Sequence, residues 1–311
     1  MEQDQVEDKK ELTIDDALAY LELNAEFSGR FRKTQTSVER DIRDYGDIPA
    51  VILCIGDLHL GSKYTNYKAL KEFIDFVKAE INVYVIINGD VIDNFDSGSG
   101  KLQKVGLDSQ LASPSEQREI YRLLINELRE KIIAINLGNH EGFSATDAFL
   151  NAANESKVAL GLNRIVINLK FKDMWVEDDK IVRSEYRLKI AAIHKARFNS
   201  HLNPNHGNLR ELHSHYPDAD VIVTSHTHTP AIQVRTYPQN ENLKKLIFIQ
   251  TGTFKSCDDH SYKYFSPYES SMFAVQGLIV YPKKRITLPL YSLDEIKHMR
   301  YKGLGIFYYT V

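Results

Sequence analysis

Ala50-Val51-Ile52-Leu53-Cys54-Ile55-Gly56-Asp57-Leu58-His59-Leu60-Gly61 is the stretch from which the rest of the chain is read. Six apolar residues run into a glycine, the pattern of a buried strand ending in a turn. Asp57 and His59 sit two positions apart, so at a strand end both side chains can aim at one point. A carboxylate and an imidazole converging beside a turn form a ligand pair suited to a divalent metal.

Outward from this stretch the pattern repeats. Tyr67 to Ile81 carries Leu70, Phe73, Ile74 and Val77 at helical spacing. Val83 to Ile87 is a second apolar run and leads into Asn88-Gly89-Asp90. Phe95 to Ala112 reads as a loop. Ser113, Pro114 and Glu116 then make a helix start with a capping box, and Ile120, Leu123, Leu124 and Leu128 are its expected buried face. Ile132 to Leu137 is a third apolar run, into Gly138-Asn139-His140-Glu141, after which Ser144 with Asp147 begins another helix. This β-α-β-α-β order, with strands apolar on both faces, predicts a parallel sheet covered by helices. Ligands bind such sheets at the C-terminal ends of the strands, where all three motifs fall.

The second half is richer in strands, at 164–171, 187–193, 221–224, 231–236, 246–250, 273–281 and 285–290, with one helix near Gly207 to His215. Two strand-rich halves predict two packed sheets with helices outside. Residues 1–48 are polar, with a short helical pattern at Ile14, Ala17, Leu18 and Leu21, and read as an N-terminal helical or partly disordered extension. Residues 49–311 read as the main domain.

Of the 311 residues, 43% are hydrophobic and 26% charged, an ordinary globular balance, so a sizeable core is expected. A net charge of -3 argues against a strongly basic nucleic-acid coat protein while allowing local basic patches. Cys54 sits in an apolar run as a small hydrophobe, and two cysteines, Cys54 and Cys257, make no disulfide framework. The N-terminus has no apolar signal core and no run is long enough to span a membrane, so a cytoplasmic location without membrane contact is expected.

Polar residues gather at the strand ends. They are Asp57, His59, Asp90, Asn139 and His140, then His194 after one strand, and His226 and His228 in Ser225-His226-Thr227-His228 after another. Carboxylate, amide and imidazole groups without thiolates suit Mn²⁺, Fe or Zn²⁺. The set is too large for one ion and matches two ions sharing a carboxylate, a type of site that clamps phosphoryl groups.

The order Asp-x-His, Gly-Asp-x-x-Asp, Gly-Asn-His-Glu, lone His, x-His-x-His, from residue 56 to 228, resembles the calcineurin-like metallophosphoesterase superfamily. The resemblance implies a four-layer α/β/β/α sandwich of two mixed sheets with two divalent metal ions between them, Mn²⁺ first, with Fe or Zn²⁺ as alternatives. It implies Asp57, His59 and His228 on one ion, Asn139, His194 and His226 on the other, and Asp90 bridging. A hydroxide between the ions would attack phosphorus, with His140 protonating the leaving oxygen and Asp93 orienting His140 as a dyad. Ser225 stands where the family usually has Gly, which asks for a negative φ there. Glu141 reads as a capping or supporting group.

Other residues carry weaker signals. His206, before Gly207 at a helix start, is a minor candidate for touching substrate, and Arg197 and Lys255, near the expected rim, read as phosphate contacts or as plain surface charges. Tyr262, Lys263, Tyr264, Phe265 and Tyr268 form an aromatic and basic cluster of the kind that stacks single-stranded bases, or that packs beside a strand. For the substrate, Asn94-Phe95 replaces the Arg-Gly of the phosphoprotein phosphatases. Asp57-Leu58-His59-Leu60-Gly61 looks similar to the nuclease subunit of double-strand-break repair complexes, whereas Gly-Asn-His-Glu is shared with the phosphatase branch. Phosphodiester hydrolysis, with DNA or RNA as substrate, is the leading expectation. A phosphomonoesterase and a non-catalytic scaffold are the alternatives.

Overall fold

Strand β2 (Ala50–Ile55) is the hinge between two cores, because its side chains alternate between them. Val51, Leu53 and Ile55 point into the core beneath the helices, and Ala50, Ile52 and Cys54 into the core between the sheets. All six are buried, each burial being worth roughly 1.5–3 kcal/mol for the larger side chains, so a one-residue slip would misplace both faces. Burial also pushes the Cys54 thiol up to about 12, which leaves it as inert packing.

The computed structural model describes residue 18 and residues 35–42, 48–96, 106–143, 145–177, 180–197, 203, 205–239, 242–256 and 275–302. Thr34–Val311 forms one compact unit and Met1–Lys33 another. In chain order the elements are β1 (Ser37–Ile42), β2, α1 (Tyr67–Ala79), β3 (Val83–Asn88), α2 (Pro114–Leu128), β4 (Ile132–Leu137), α3 (Thr146–Glu155), β5 (Ala159–Leu162), β6 (Arg164–Glu177) and β7 (Lys180–Ile193). A π-helical turn at Asn208–Leu212 continues into His213–His215, and β8 (Val221–Thr224), β9 (Ala231–Gln239), β10 (Asn242–Gln250), β11 (Gln276–Tyr281), β12 (Ile286–Leu290) and α4 (Leu293–Lys302) follow.

One sheet has the order β12-β11-β2-β3-β4-β5, parallel from β2 to β5 and antiparallel at β11 and β12. The other has the order β1-β6-β7-β8-β10-β9 and mixes both senses. Ile52, Ile86 and Leu278 from the first sheet meet Ile167, Ile190, Val223 and Ile249 from the second. The helices cover the outer face of the first sheet through Phe73, Tyr121, Phe149 and Ile296. Leu212 of the π-helical segment covers Ile222 and Phe248 on the outer face of the second. The result is the α/β/β/α sandwich of two mixed sheets. No described helix is long and apolar enough to cross a membrane.

Several details differ from the sequence pattern. β1 lies inside 1–48 and pairs in parallel with β6, from Ser37↔Val166 to Ile42↔Phe171. The expected helix at Ile14 to Leu21 lies outside the described residues except for Leu18, and Cys257 and the aromatic cluster at 262–268 also lie outside them. The buried face of α2 is Gln117, Tyr121, Ile125 and Leu128, while Ile120 and Leu123 are exposed. The face is rotated because Gln117 turns inward, its Oε1 accepting from Asn94 N and its Nε2 donating to Ala112 O. The capping box forms as expected, with Ser113 N donating to Glu116 Oε2 at 2.7 Å. α3 starts after Ala145, at φ 51° and with no side-chain cap, and Ser144 lies outside the described residues.

Candidate metal centre

The loops after β2 and β3 run side by side. Asp57 N donates to Gly89 O, His59 N to Asp90 O and Leu60 N to Val91 O. This pairing lifts the side chains of Asp57, His59 and Asp90 to one edge of the first sheet. His194 after β7 and His226 and His228 after β8 arrive at the same edge from the second sheet. Five of the seven candidate ligands sit at positive φ: Asp57 (52°), His59 (49°), Asp90 (51°), His226 (75°) and His228 (60°). Left-handed backbone at a non-glycine residue costs on the order of 1 kcal/mol or more, and such strain gathers at functional sites.

Three groupings result, each with donor atoms within 4.8 Å of one another: Asp57, His59 and His228; Asp90, His194 and His226; and His59, Asp90 and His140. Asp90 Oδ2 lies 3.2 Å from His194 Nε2 and 3.9 Å from His140 Nε2. Asn139 Oδ1 lies 3.2 Å from His194 Nε2, which brings the amide into the second grouping.

The ring orientations follow from their outer partners. His194 Nδ1 lies 2.7 Å from Asn88 O, and His140 Nδ1 lies 2.7 Å from Asp93 O. A carbonyl only accepts, so each Nδ1 carries the proton and each Nε2 faces the centre. His59 Nδ1 donates to Asp93 Oδ1 at 2.7 Å, with the same outcome. This is the outer-shell arrangement that fixes imidazole ligands on metals.

Asp57 Oδ1 is buried and has no hydrogen-bond partner among the described residues, with His228 Nε2 3.4 Å away. His59 Nε2, a lone-pair nitrogen, lies 3.1 Å from His228 Nε2. A buried carboxylate oxygen and two imidazole nitrogens converging on one point favour a positive charge there. The donor set therefore fits a divalent metal ion.

The electrostatics agree. Burial works to raise the Asp57 and Asp90 carboxyls, but the surrounding imidazoles outweigh it, so Asp57 is lowered and Asp90 lies well below its ordinary value. Burial, helped by Lys255, holds His59 down to about 4, which keeps its lone pair free. Burial also holds His226 down to about 4. His194 goes the other way despite its burial, because Asp90 and Asp57 lift it to about 10.

The Asp93–His140 dyad differs from expectation. The Asp93 carboxylate faces His59 and the Lys255 ammonium, at 3.1 and 3.4 Å. His140 takes the Asp93 main-chain carbonyl instead. The chain turns at Asn94 (φ 48°), and Lys255, only 4% exposed, pins the carboxylate toward His59. Lys255 is thus a buried partner of Asp93 and not a rim residue. Arg197 is exposed, and His206 meets Asn203 and enters none of the three groupings.

Some supporting residues carried little signal in the sequence. Glu141 Oε1 accepts from Val91 N and Ile92 N, and its Oε2 from Asp90 N and Gly138 N, tying the second and third motif loops together. Asn88 joins the sheets, its Nδ2 donating to Ile193 O and to Ser225 Oγ. Ser225 is not at positive φ, and its hydroxyl fills the space facing Gly56, where a Cβ would lie 2.5 Å from Ser225 Oγ. Asn136 Nδ2 donates to Asn88 Oδ1 and Gln250 Nε2 to Ser225 O, and the only sequence cue for these three residues was a polar residue within or ending an apolar run.

A model of the calcineurin-like phosphoesterase family matches residues 50–230. No curated protein matches the chain. Among solved structures, vacuolar protein sorting 29 from Cryptosporidium parvum is similar at 17% identity and TM-score 0.38, over 79% of this chain and 98% of that one. A conserved uncharacterized protein and predicted phosphoesterase from Streptococcus pneumoniae TIGR4 is similar at 13% identity and TM-score 0.34, over 78% and 98%. Nuclease MPE from Pseudomonas putida is similar at 10% identity and TM-score 0.29, over 77% and 87%. With the family match spanning the whole ordered motif set, the chain belongs to the calcineurin-like phosphoesterases.

Proposed function

We propose that the protein is a dinuclear metal-dependent phosphodiesterase acting on nucleic acid. Asp57, His59 and His228 would hold one ion and Asn139, His194 and His226 the other, with Asp90 between them. The observation that carries this is the pair of three-residue groupings beside the orphaned Asp57 Oδ1. When bound, the ions supply charge neutralisation of the phosphoryl group and activation of water near neutral pH.

The residues of the chain do the rest. His140 Nε2, freed by the Nδ1 bond to Asp93 O, is the group that carries a proton to the leaving oxygen. Asp93 is a positioning residue twice over, through its carboxylate on His59 and its carbonyl on His140. The wall beside His140 is aromatic, with Phe95 at 5.0 Å and Phe143 at 4.7 Å between ring centroids. Asn94, where the phosphatases carry Arg, donates from Nδ2 to His140 O and accepts from Arg118. An aromatic wall suits the single charge and organic groups of a diester better than the double charge of a monoester.

Hydrolysis of bis-aryl and mono-aryl phosphates and of single- and double-stranded DNA, each with Mn²⁺, Mg²⁺ or chelator, tests the reading. The diester and a DNA strand should be cut faster than the monoester, and only with metal. Preference for the monoester would make the protein a phosphomonoesterase, and inertness toward every ester with both ions bound would make it a scaffold.

A further inference from the structure

Beyond the metal centre, one pocket of about 740 Å³ lies where β7 ends and β6 and β1 begin. Four of its lining residues are cationic: Arg164, Lys189, Lys195 and Arg197. Among the described residues no carboxylate lines it, although the chain as a whole carries a net charge of -3. Lys189 pairs with Asp218 at 3.7 Å, whereas Arg164, Lys195 and Arg197 form no ion pair among the described residues. Three uncompensated cations around one concavity repel each other, so the arrangement is stabilised by an anion.

The pocket adjoins the strand end that carries His194. Lys195 and Arg197 stand one and three residues after His194, and Arg164 lies opposite Ile193 in the β6–β7 register. His194 N donates to Asn163 O, which closes the same corner. The Lys195 charge also reaches His226. The wall adds apolar surface and a half-buried aromatic ring, Leu212 and Tyr216. Cations beside an apolar, aromatic wall match a nucleotide unit, whose phosphate needs charge and whose base needs a face to lie against.

We infer that this pocket holds the nucleotide next to the scissile phosphate, so that the substrate is a single nucleic-acid strand running from the metal centre across Lys195 and Arg197 to Arg164. The inference rests on the phosphodiester reading above and adds to it the class of substrate and the direction in which it lies.

Fluorescence anisotropy of a short fluorescein-labelled single-stranded oligodeoxynucleotide, titrated in chelator so that no strand is cut, tests it over a range of salt. The Arg164→Gln/Arg197→Gln variant should bind about tenfold or more weakly and lower the slope of log K against log salt by about 1.4, at about 0.7 per lost phosphate contact. Lys195→Gln, a milder second variant, should lower it by about 0.7. The charge-matched control Arg235→Gln/Lys157→Gln, on exposed residues away from the pocket, should bind as the unaltered chain does. An equal loss in the control, or an unchanged slope in the pocket variants, would overturn the inference. Displacement of the oligonucleotide by equimolar AMP would also overturn it, showing a site for free nucleotide. Pocket-dependent binding without Mn²⁺-dependent cleavage of any strand would leave the pocket standing and refute the hydrolytic reading.

Discussion

Asp93 illustrates how one residue serves two others through different atoms. Its carboxylate holds His59 and neutralises the buried Lys255, and its carbonyl fixes His140. Asp93→Asn should strand the Lys255 ammonium and cost about 3–5 kcal/mol of stability, read by chemical denaturation. Metal affinity should fall about 10–100-fold, because His59 loses its orienting carboxylate. The metal-saturated variant should nonetheless turn over within about tenfold of the parent, since the carbonyl on His140 remains, whereas His140→Ala should keep its metal and lose about 10²–10⁴-fold in turnover. A side-chain dyad would instead make the two variants equally slow. His194 sets the pH response. In the metal-free protein its pKa is raised from 6.5 to about 10, so its proton contributes stability present below pH 6.5 and lost as pH rises through about 10. Metal must displace that proton, so Mn²⁺ affinity should rise about tenfold per pH unit across neutrality, which calorimetry in buffers of different ionisation enthalpy would show as proton release.

The strands that lead into the motifs and the start of α2 were the most legible parts of this chain. β2, β4 and β8 begin and end where the apolar runs do, and the Ser113–Glu116 box caps α2 as read. What misled the reading of α2 was amphipathic spacing. Ile120 and Leu123 fit an apolar stripe, but Gln117 satisfies the backbone of Asn94 and Ala112, and that demand set the rotation of the helix. Gln117→Ala should therefore destabilise the fold by about 1–3 kcal/mol per orphaned group, measured by thermal denaturation, although no apolar contact is removed. The clustering of Asp57, His59, Asp90, His194, His226 and His228 was legible because each motif sits at a strand end. Their supports were not, since the reach of Glu141 to Asp90 N, and of Asn88 to Ile193 O and Ser225 Oγ, depends on how the loops and the two sheets meet. The direction of the Asp93 carboxylate is hidden in the sequence for the same reason: Lys255, 162 residues away in sequence, decides which way it points.

In the molecule as a whole, the centre is a seam. Asp57, His59, Asp90 and Asn139 come from one sheet and His194, His226 and His228 from the other, so bound ions would crosslink the sandwich at the edge where its polar residues are buried. Chelation should accordingly lower the unfolding temperature, and Mn²⁺ at about 100 times its dissociation constant should restore about 2.7 kcal/mol. The mildly acidic chain gathers three uncompensated cations, Arg164, Lys195 and Arg197, in one pocket near this seam, where a polyanionic strand would lie. The most direct measurement is anomalous diffraction from crystals grown with Mn²⁺. Two peaks should appear, one among Asp57, His59 and His228 and the other among Asn139, His194 and His226, with Asp90 between them. A single peak, or manganese bound anywhere but this seam, would contradict the account.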